Sequence, residues 1–157
     1  TCDRVNGVLT VYTDSTMRIP IKTIRVSVGK AGTETPTGTW TMHRAGRWQE
    51  LMGPSWGQYG THVVNGIFVH SVACGQANSY NLPVGEYLRL GNPASHGCIR
   101  ACVADAKWVW DNCNGSKIHI FDGTYTSNEA LKGPLGRKAL TPLRGSKNFD
   151  PTDPACK

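Results

Sequence analysis

No stretch of this chain approaches the roughly 18 consecutive apolar residues that a membrane-spanning helix needs, and its opening, Thr1-Cys2-Asp3-Arg4, has neither the basic start nor the apolar run of a secretory signal. The chain therefore reads as soluble. Its start at Thr1 rather than Met is what a mature or trimmed piece would show, so a signal, anchor or other region upstream is expected. Repeats and low-complexity linkers are also absent, and 157 residues with 39% hydrophobic content suit one domain, 1–157, with a core able to fold unaided.

Two further absences narrow the function. The six cysteines, Cys2, Cys74, Cys98, Cys102, Cys113 and Cys156, contain no Cys-x-x-Cys pair, which argues against structural zinc; no metal and no cofactor are expected. The net charge of +6 comes from 17 Lys and Arg against 11 Asp and Glu, scattered from Arg4 to Lys157. With no basic stripe interleaved with aromatics and no recognition-helix pattern, nucleic acid is not the expected partner; an anionic surface suits the charge better. Cysteine richness without metal spacing points to an oxidising compartment outside the cell and to disulfides.

What the chain does contain is a series of short β-branched or alternating runs. Gly7 to Tyr12, Arg18 to Val28, Gly38 to Arg44, Thr61 to Val72 and Lys117 to Phe121 read as strands, with Asn65-Gly66 marking a hairpin turn. One helix is expected over Val103 to Cys113, where Val103, Ala106, Val109, Trp110 and Cys113 recur at helical spacing before Asn114-Gly115. From about Gly123 to Lys157 periodicity is lost, which predicts an irregular C-terminal wrap. The fold class is mainly β, a sandwich or barrel-like domain with one principal helix.

The segment Ser95-His96-Gly97-Cys98-Ile99-Arg100 carries the chemistry. It follows Gly91-Asn92-Pro93 and precedes the helix, so a helix N-terminus, a histidine and Arg100 are all expected to lower the Cys98 pKa and favour a nucleophilic thiolate. Gly97 permits a sharp turn that aims amides around Cys98 at an oxyanion. The competing reading is that Cys98 is one more disulfide cysteine. Two histidines are candidates for its base: His96, two residues away, and His70, at the end of the strand Ile67-Phe68-Val69-His70-Ser71, which the alternative reading makes a buried core histidine. His96 is as well suited to a structural hydrogen bond as to catalysis. Tyr59, in a glycine-flanked stretch, is a candidate groove residue or rim packing.

These residues resemble the L,D-transpeptidase or YkuD-like catalytic domain, whose signature is a histidine followed downstream by Ser/Thr-His-Gly-Cys-apolar-Asn/Arg. The resemblance extends to Lys30 with Thr35-Pro36-Thr37-Gly38-Thr39-Trp40, to Phe68-Val69-His70-Ser71, to Ala104-Asp105-Ala106-Lys107, and to the tail Asp150-Pro151-Thr152-Asp153-Pro154, which is similar to that of clostridial-type members. It implies an L,D-transpeptidase-like β-sandwich and a cell-envelope cysteine acyltransferase that forms 3–3 cross-links between peptidoglycan stem peptides. In that role the domain serves wall biosynthesis, wall organisation and cell shape, and is a carbapenem target. It implies Cys98 as nucleophile and His70 as base, with Ser71 orienting His70 through its carbonyl. The amides of Gly97 and Cys98 would serve the oxyanion. His96, Arg100, Ser95, Asn92 and Tyr59 would shape the substrate pocket. L,D-carboxypeptidase activity, another wall cysteine peptidase, or a non-catalytic wall-binding module are the rival readings; a monomer is expected, and the upstream region would anchor or bind the wall.

Two departures from the family pattern stand out. Twenty-four residues lie between His70 and Ser95, so Val72 to Asn92 is expected to hold an inserted loop, such as Cys74 to Pro83, bordering the groove. Cysteines also occupy Cys102 and Cys113. The two ends of an eleven-residue helix lie roughly 16 Å apart, too far for one disulfide. Cys74 with Cys102 is the expected pair, Cys113 and Cys156 are further candidates, and Cys2 is the odd cysteine, bonded to upstream sequence.

Overall fold

The computed structural model describes residues 1–145 and 148–156. Eleven strands and two helices follow one another as β1 (Cys2–Asp3), β2 (Val8–Tyr12), β3 (Pro20–Arg25), β4 (Gly38–Thr41), β5 (His43–Arg44), β6 (Trp48–Leu51), β7 (Ser55–Gln58), β8 (Thr61–Val64), β9 (Ile67–Ser71), α1 (Val84–Leu88), β10 (Ile99–Ala101), α2 (Val103–Asn112) and β11 (Lys117–Phe121). A single 3-10 turn, Glu129–Leu131, interrupts the tail. The five-stranded sheet has the order β3-β2-β1-β11-β4, the four-stranded sheet β10-β9-β8-β5, and β6-β7 form a separate hairpin. The fold is the expected mainly β sandwich.

Between the sheets, Leu9, Ile24 and Ile120 from one side meet Val63, Val69 and Ile99 from the other, with Val109 of α2 completing the main core. The strand expected over Arg18 to Val28 ends at Arg25, because the chain then crosses between sheets. Ser27 bridges Arg100, and Gly29 bridges Ser95. The same β-branched run thus serves one sheet and then the segment that carries Cys98. At the hairpin between β8 and β9, Asn65 takes a left-handed φ of 49°, a conformation Asn tolerates well.

Helix α2 occupies the expected residues, with Cys113 as its C-cap and Gly115 (φ 84°) just beyond. Its buried face is Val103, Ala106 and Val109, spaced at one turn. Its N-cap, Cys102, makes no side-chain cap. The tail supplies one instead: the Val103 N–H donates to Asp150 Oδ2 at 2.8 Å, and the Ala104 N–H to Thr152 Oγ1 at 3.1 Å. The tail is therefore a wrap in outline but a cap in function, with Asp150 only 2% exposed. It is also stapled at Arg137, which donates to the Asn6 and Gly91 carbonyls at 2.9 and 2.8 Å and holds Glu129 down to about 2.

Four elements had no clear sequence signal: the two-residue β1, the β6-β7 hairpin, α1 and β10. Helix α1 lies inside the insertion after Val72 and packs Tyr87 and Leu90 with Val72 and Leu82 into a second small core, which Leu140 and Leu143 of the tail cover. The disulfides are not formed. All six cysteines are free thiols. In the expected Cys74–Cys102 pair, Cys74 Sγ points to the Val72 carbonyl at 3.6 Å and Cys102 Sγ to Asp105 Oδ2 at 3.2 Å. Cys2, expected to reach upstream, is wholly buried in the main core beside Cys113; Cys156 is buried as well.

Asp150→Ala removes the acceptor that caps α2. It is expected to lower unfolding stability by about 1–2 kcal/mol, with Asp150→Asn retaining most of it; urea denaturation followed by far-UV circular dichroism measures both.

Candidate active site

Strands β9 and β10 run parallel, with Ile99 opposite Val69, Arg100 opposite His70 and Ala101 opposite Ser71. Side chains alternate along a strand, so Val69, Ile99 and Ala101 enter the core. Phe68 and His70 from β9, with Cys98 and Arg100 from the β10 segment, line a cleft of about 370 Å³ instead. The register thus puts His70 and Cys98, 28 residues apart in the chain, on one cleft, with the Cys98 sulfur against the Phe68 N–H at 3.4 Å and the Gly66 carbonyl at 3.5 Å. A larger groove of about 670 Å³ lies against β2, β4 and β11. Its one histidine, His119, is tied to Thr39 Oγ1 at 2.8 Å and its one cysteine, Cys113, is buried at the helix end, so volume alone does not locate chemistry.

The turn before Cys98 is held from several sides. Ser95 Oγ donates to the Cys98 carbonyl at 2.5 Å and accepts from the Gly97 N–H at 3.1 Å. The fully buried Thr35 donates its hydroxyl to the Gly97 carbonyl at 2.6 Å and accepts from the Gly29 N–H at 2.9 Å, which gives the Thr-Pro-x-Gly run a structural reason. Gly97 has φ 128°, and a Cβ there would lie 2.8 Å from Ile67 Cδ1, so the position requires glycine.

The imidazole of His70 is 1% exposed. Its Nδ1–H donates to the Ser71 carbonyl, as the sequence led one to expect, which leaves Nε2 as the nitrogen able to take a proton. Behind the ring is the backbone of β7: a Cβ at Gly57 would lie 2.5 Å from His70 Nδ1 and 2.8 Å from Cγ. Burial, opposed by the Ser71 bond and reinforced by Arg100, holds His70 down at about 4, so it is neutral at pH 7.

The thiol departs from expectation. Strand β10 separates Cys98 from α2, whose first amides are taken by the tail, so no helix terminus acts on the sulfur. Burial pushes the Cys98 thiol up, offset in part by the Phe68 N–H at 3.4 Å and by Arg100. Arg100 itself is paired with Glu86 of α1 at 2.9 Å. The cleft thus holds a neutral thiol and a neutral imidazole rather than a preformed thiolate.

Other expected positions also sort out. His96 is exposed on the cleft wall. Asn92 is exposed and does not line the cleft. Tyr59, 6% exposed, packs in a cluster with Val103, Ala106 and Trp110, with the Arg47 guanidinium 4.0 Å over its ring, so it is a packing residue. The Ser95 hydroxyl and Gly97 amide are spent on the turn, leaving the Cys98 amide as the remaining expected oxyanion donor. Of the insertion, Ala73 touches the cleft, and α1 reaches it through Glu86 and Arg100. The opposite wall, which had no signal in the sequence, is the β6-β7 hairpin with Glu50, Leu51, Met52 and Ser55.

With this geometry in view, a family model described as the L,D-transpeptidase catalytic domain matches residues 2–131. The chain belongs to that family. An L,D-transpeptidase from Mycobacterium tuberculosis H37Rv is similar in fold, with a TM-score of 0.60 and 20% identity, over 77% of this chain and 56% of that one. The L,D-transpeptidase LdtMt1, solved in complex with imipenem, gives a TM-score of 0.57 and 22% identity, over 76% and 56% of the two chains. A stretch of 27 residues, 17% of this chain, is 59% identical to YciB of Bacillus subtilis (strain 168), of which it covers 14%. The L,D-transpeptidase domain described here thus spans little more than half the length of those solved chains.

Within this L,D-transpeptidase domain, Gly57 is the residue that sequence reasoning missed. Gly57→Ala is expected to push the imidazole off the Ser71 carbonyl without unfolding the domain. Proton NMR of the wild type should show a downfield, exchange-protected Nδ1–H resonance that is lost in the variant while far-UV circular dichroism is unchanged; retention of that resonance would contradict the packing.

Proposed function

We propose that the domain catalyses L,D-transpeptidation between peptidoglycan stem peptides through a thioester on Cys98. The observation that carries this is the β9-β10 register, which sets a partly buried thiol and a neutral, oriented imidazole on one cleft in a chain of this family. As Cys98 Sγ attacks the carbonyl after the third residue of a donor stem, its proton passes to His70 Nε2. Collapse breaks the C–N bond, His70 returns the proton to the departing D-alanine amine, and the thioester remains. The side-chain amine of the third residue of an acceptor stem then attacks, giving its proton to His70 and thence to the Cys98 sulfur, and a 3–3 cross-link forms. Water in place of that amine gives L,D-carboxypeptidase activity.

The Cys98 amide faces the developing oxyanion, and Arg100 supplies positive potential while Glu86 keeps it in place. His96, exposed at the rim, contacts the peptide. The +6 charge favours an anionic wall, which fits an envelope or extracellular location. The fold similarity to an L,D-transpeptidase solved with imipenem supports a carbapenem as probe.

Imipenem is expected to add one covalent mass to the folded protein and none to Cys98→Ala, by intact-protein mass spectrometry; with isolated muropeptides, cross-linked dimers should accompany the loss of D-alanine. No adduct on the folded wild type would sink the proposal. Because His70 titrates at about 4 rather than at the usual 6.5, the base stays unprotonated through mild acid. The imipenem acylation rate is expected to change less than about two-fold between pH 7 and 5.5 and to fall only as pH drops toward about 4; a half-point near 6.5 would show that His70 is solvated in the working enzyme.

A further inference from the structure

The family match ends at residue 131, yet the tail beyond it reaches back behind the candidate base. Asp153 is 3% exposed, and its Oδ2 accepts from the Gln58 side-chain amide at 2.9 Å. Gln58 is equally buried; its Oε1 accepts from Arg47 at 2.8 Å, so both ends of the amide are fixed. The Gln58 backbone N–H donates to Ser71 Oγ at 2.8 Å, and the Ser71 carbonyl accepts from His70 Nδ1. Gly57, the preceding residue of β7, is the surface against which the His70 ring is pressed.

We infer that Asp153 is a positioning residue for His70, acting through Gln58 to fix strand β7 and, with it, both the wall behind the imidazole and the residue that orients it. This rests on the transpeptidase reading for its consequence in rate, though not for its structural content. Among the described residues Asp153 makes no ion pair; its side chain also accepts from the Ala155 N–H at 2.9 Å and bonds the Cys156 thiol. A carboxylate buried without a cation is costly, and an apolar residue would hold the tail down more cheaply. What the carboxylate adds is direction: its Oδ2 accepts from the Gln58 side-chain amide and so fixes that rotamer, while Oδ1 holds the Ala155 N–H. The imidazole has little tolerance, since β7 already leaves no room for a single Cβ behind it. The other charged or titratable groups around His70 are Cys98 and Arg100 of the β10 segment, His96 in the turn and Glu50 of β6, all on the cleft side. Asp153 approaches from behind.

The test cuts the link from both ends, with Asp153→Ala and Gln58→Met, and restores an acceptor without the charge in Asp153→Asn. Each full chain is compared with wild type for imipenem acylation rate per folded molecule and for the His70 titration followed by NMR of the labelled imidazole. Both cutting variants are expected to slow acylation about 10- to 100-fold and to raise the His70 pKa from about 4 toward the ordinary value as water reaches the ring, while Asp153→Asn stays within about three-fold of wild type. If Asp153→Ala does not fold, Gln58→Met carries the same comparison. Wild-type acylation and an unmoved His70 titration in folded cutting variants would overturn the inference, as would a rate loss that merely tracks the unfolded fraction. Should wild type itself show no acylation, the transpeptidase reading fails, and the His70 titration alone decides the positioning role.

Discussion

The parallel pairing of β9 with β10 is the constraint on which the rest depends. It is only three residues long, yet its register decides which side chains share a face, and a slip of one residue would send Cys98 into the core and Ile99 into the cleft. Much of the surrounding structure can be understood as fixing that register. Ser27 and Gly29, in the segment that crosses from β3, bridge to Arg100 and Ser95, Thr35 grips the Gly97 carbonyl, and Ser95 closes the turn on itself. Parallel strands so close to their connection need a crossover, and the stretch from Val72 to Asn92, with α1 and its own small core, provides it.

The same packing sets the chemistry. Burying a thiol and an imidazole together disfavours charge on both, so the sequence-level picture of a thiolate made reactive by a helix end, a histidine and a cation gives way to a neutral pair. In the proposed reaction such a pair is quiet until a carbonyl is in place, because proton transfer becomes favourable only as the sulfur forms its new bond. A domain that works among amines and water has reason to keep its nucleophile in the less reactive form.

How much of this was legible in the sequence followed from how local each signal was. The Cys98 motif, the His70 strand, the Asn65 turn and α2 are contiguous patterns with a period or a turn residue to announce them, and each lies where it was read. Tyr59 and Asn92 misled because an exposed-looking glycine context says nothing about which face a residue meets. Gly57, Gln58 and Glu86 carried no signal, and Asp153 stood only in a tail resemblance with no role attached, since their importance comes from neighbours 13 to 95 residues away. Cysteine count suggested cross-links, while the fold uses Cys2 and Cys113 as small apolar fillers.

Strand β1 is two residues long, yet it sits in the middle of the five-stranded sheet, antiparallel to β2 and parallel to β11. Cys2 is matched locally with Leu9 but also with Ile120, and Asp3 with Val8 and with Phe121, so one edge of β1 waits for a partner more than a hundred residues away. Synthesis or threading from the N-terminal end therefore leaves the sheet in two halves until residue 121 arrives. Closure of the sheet is a late, long-range event of the kind that makes folding slow.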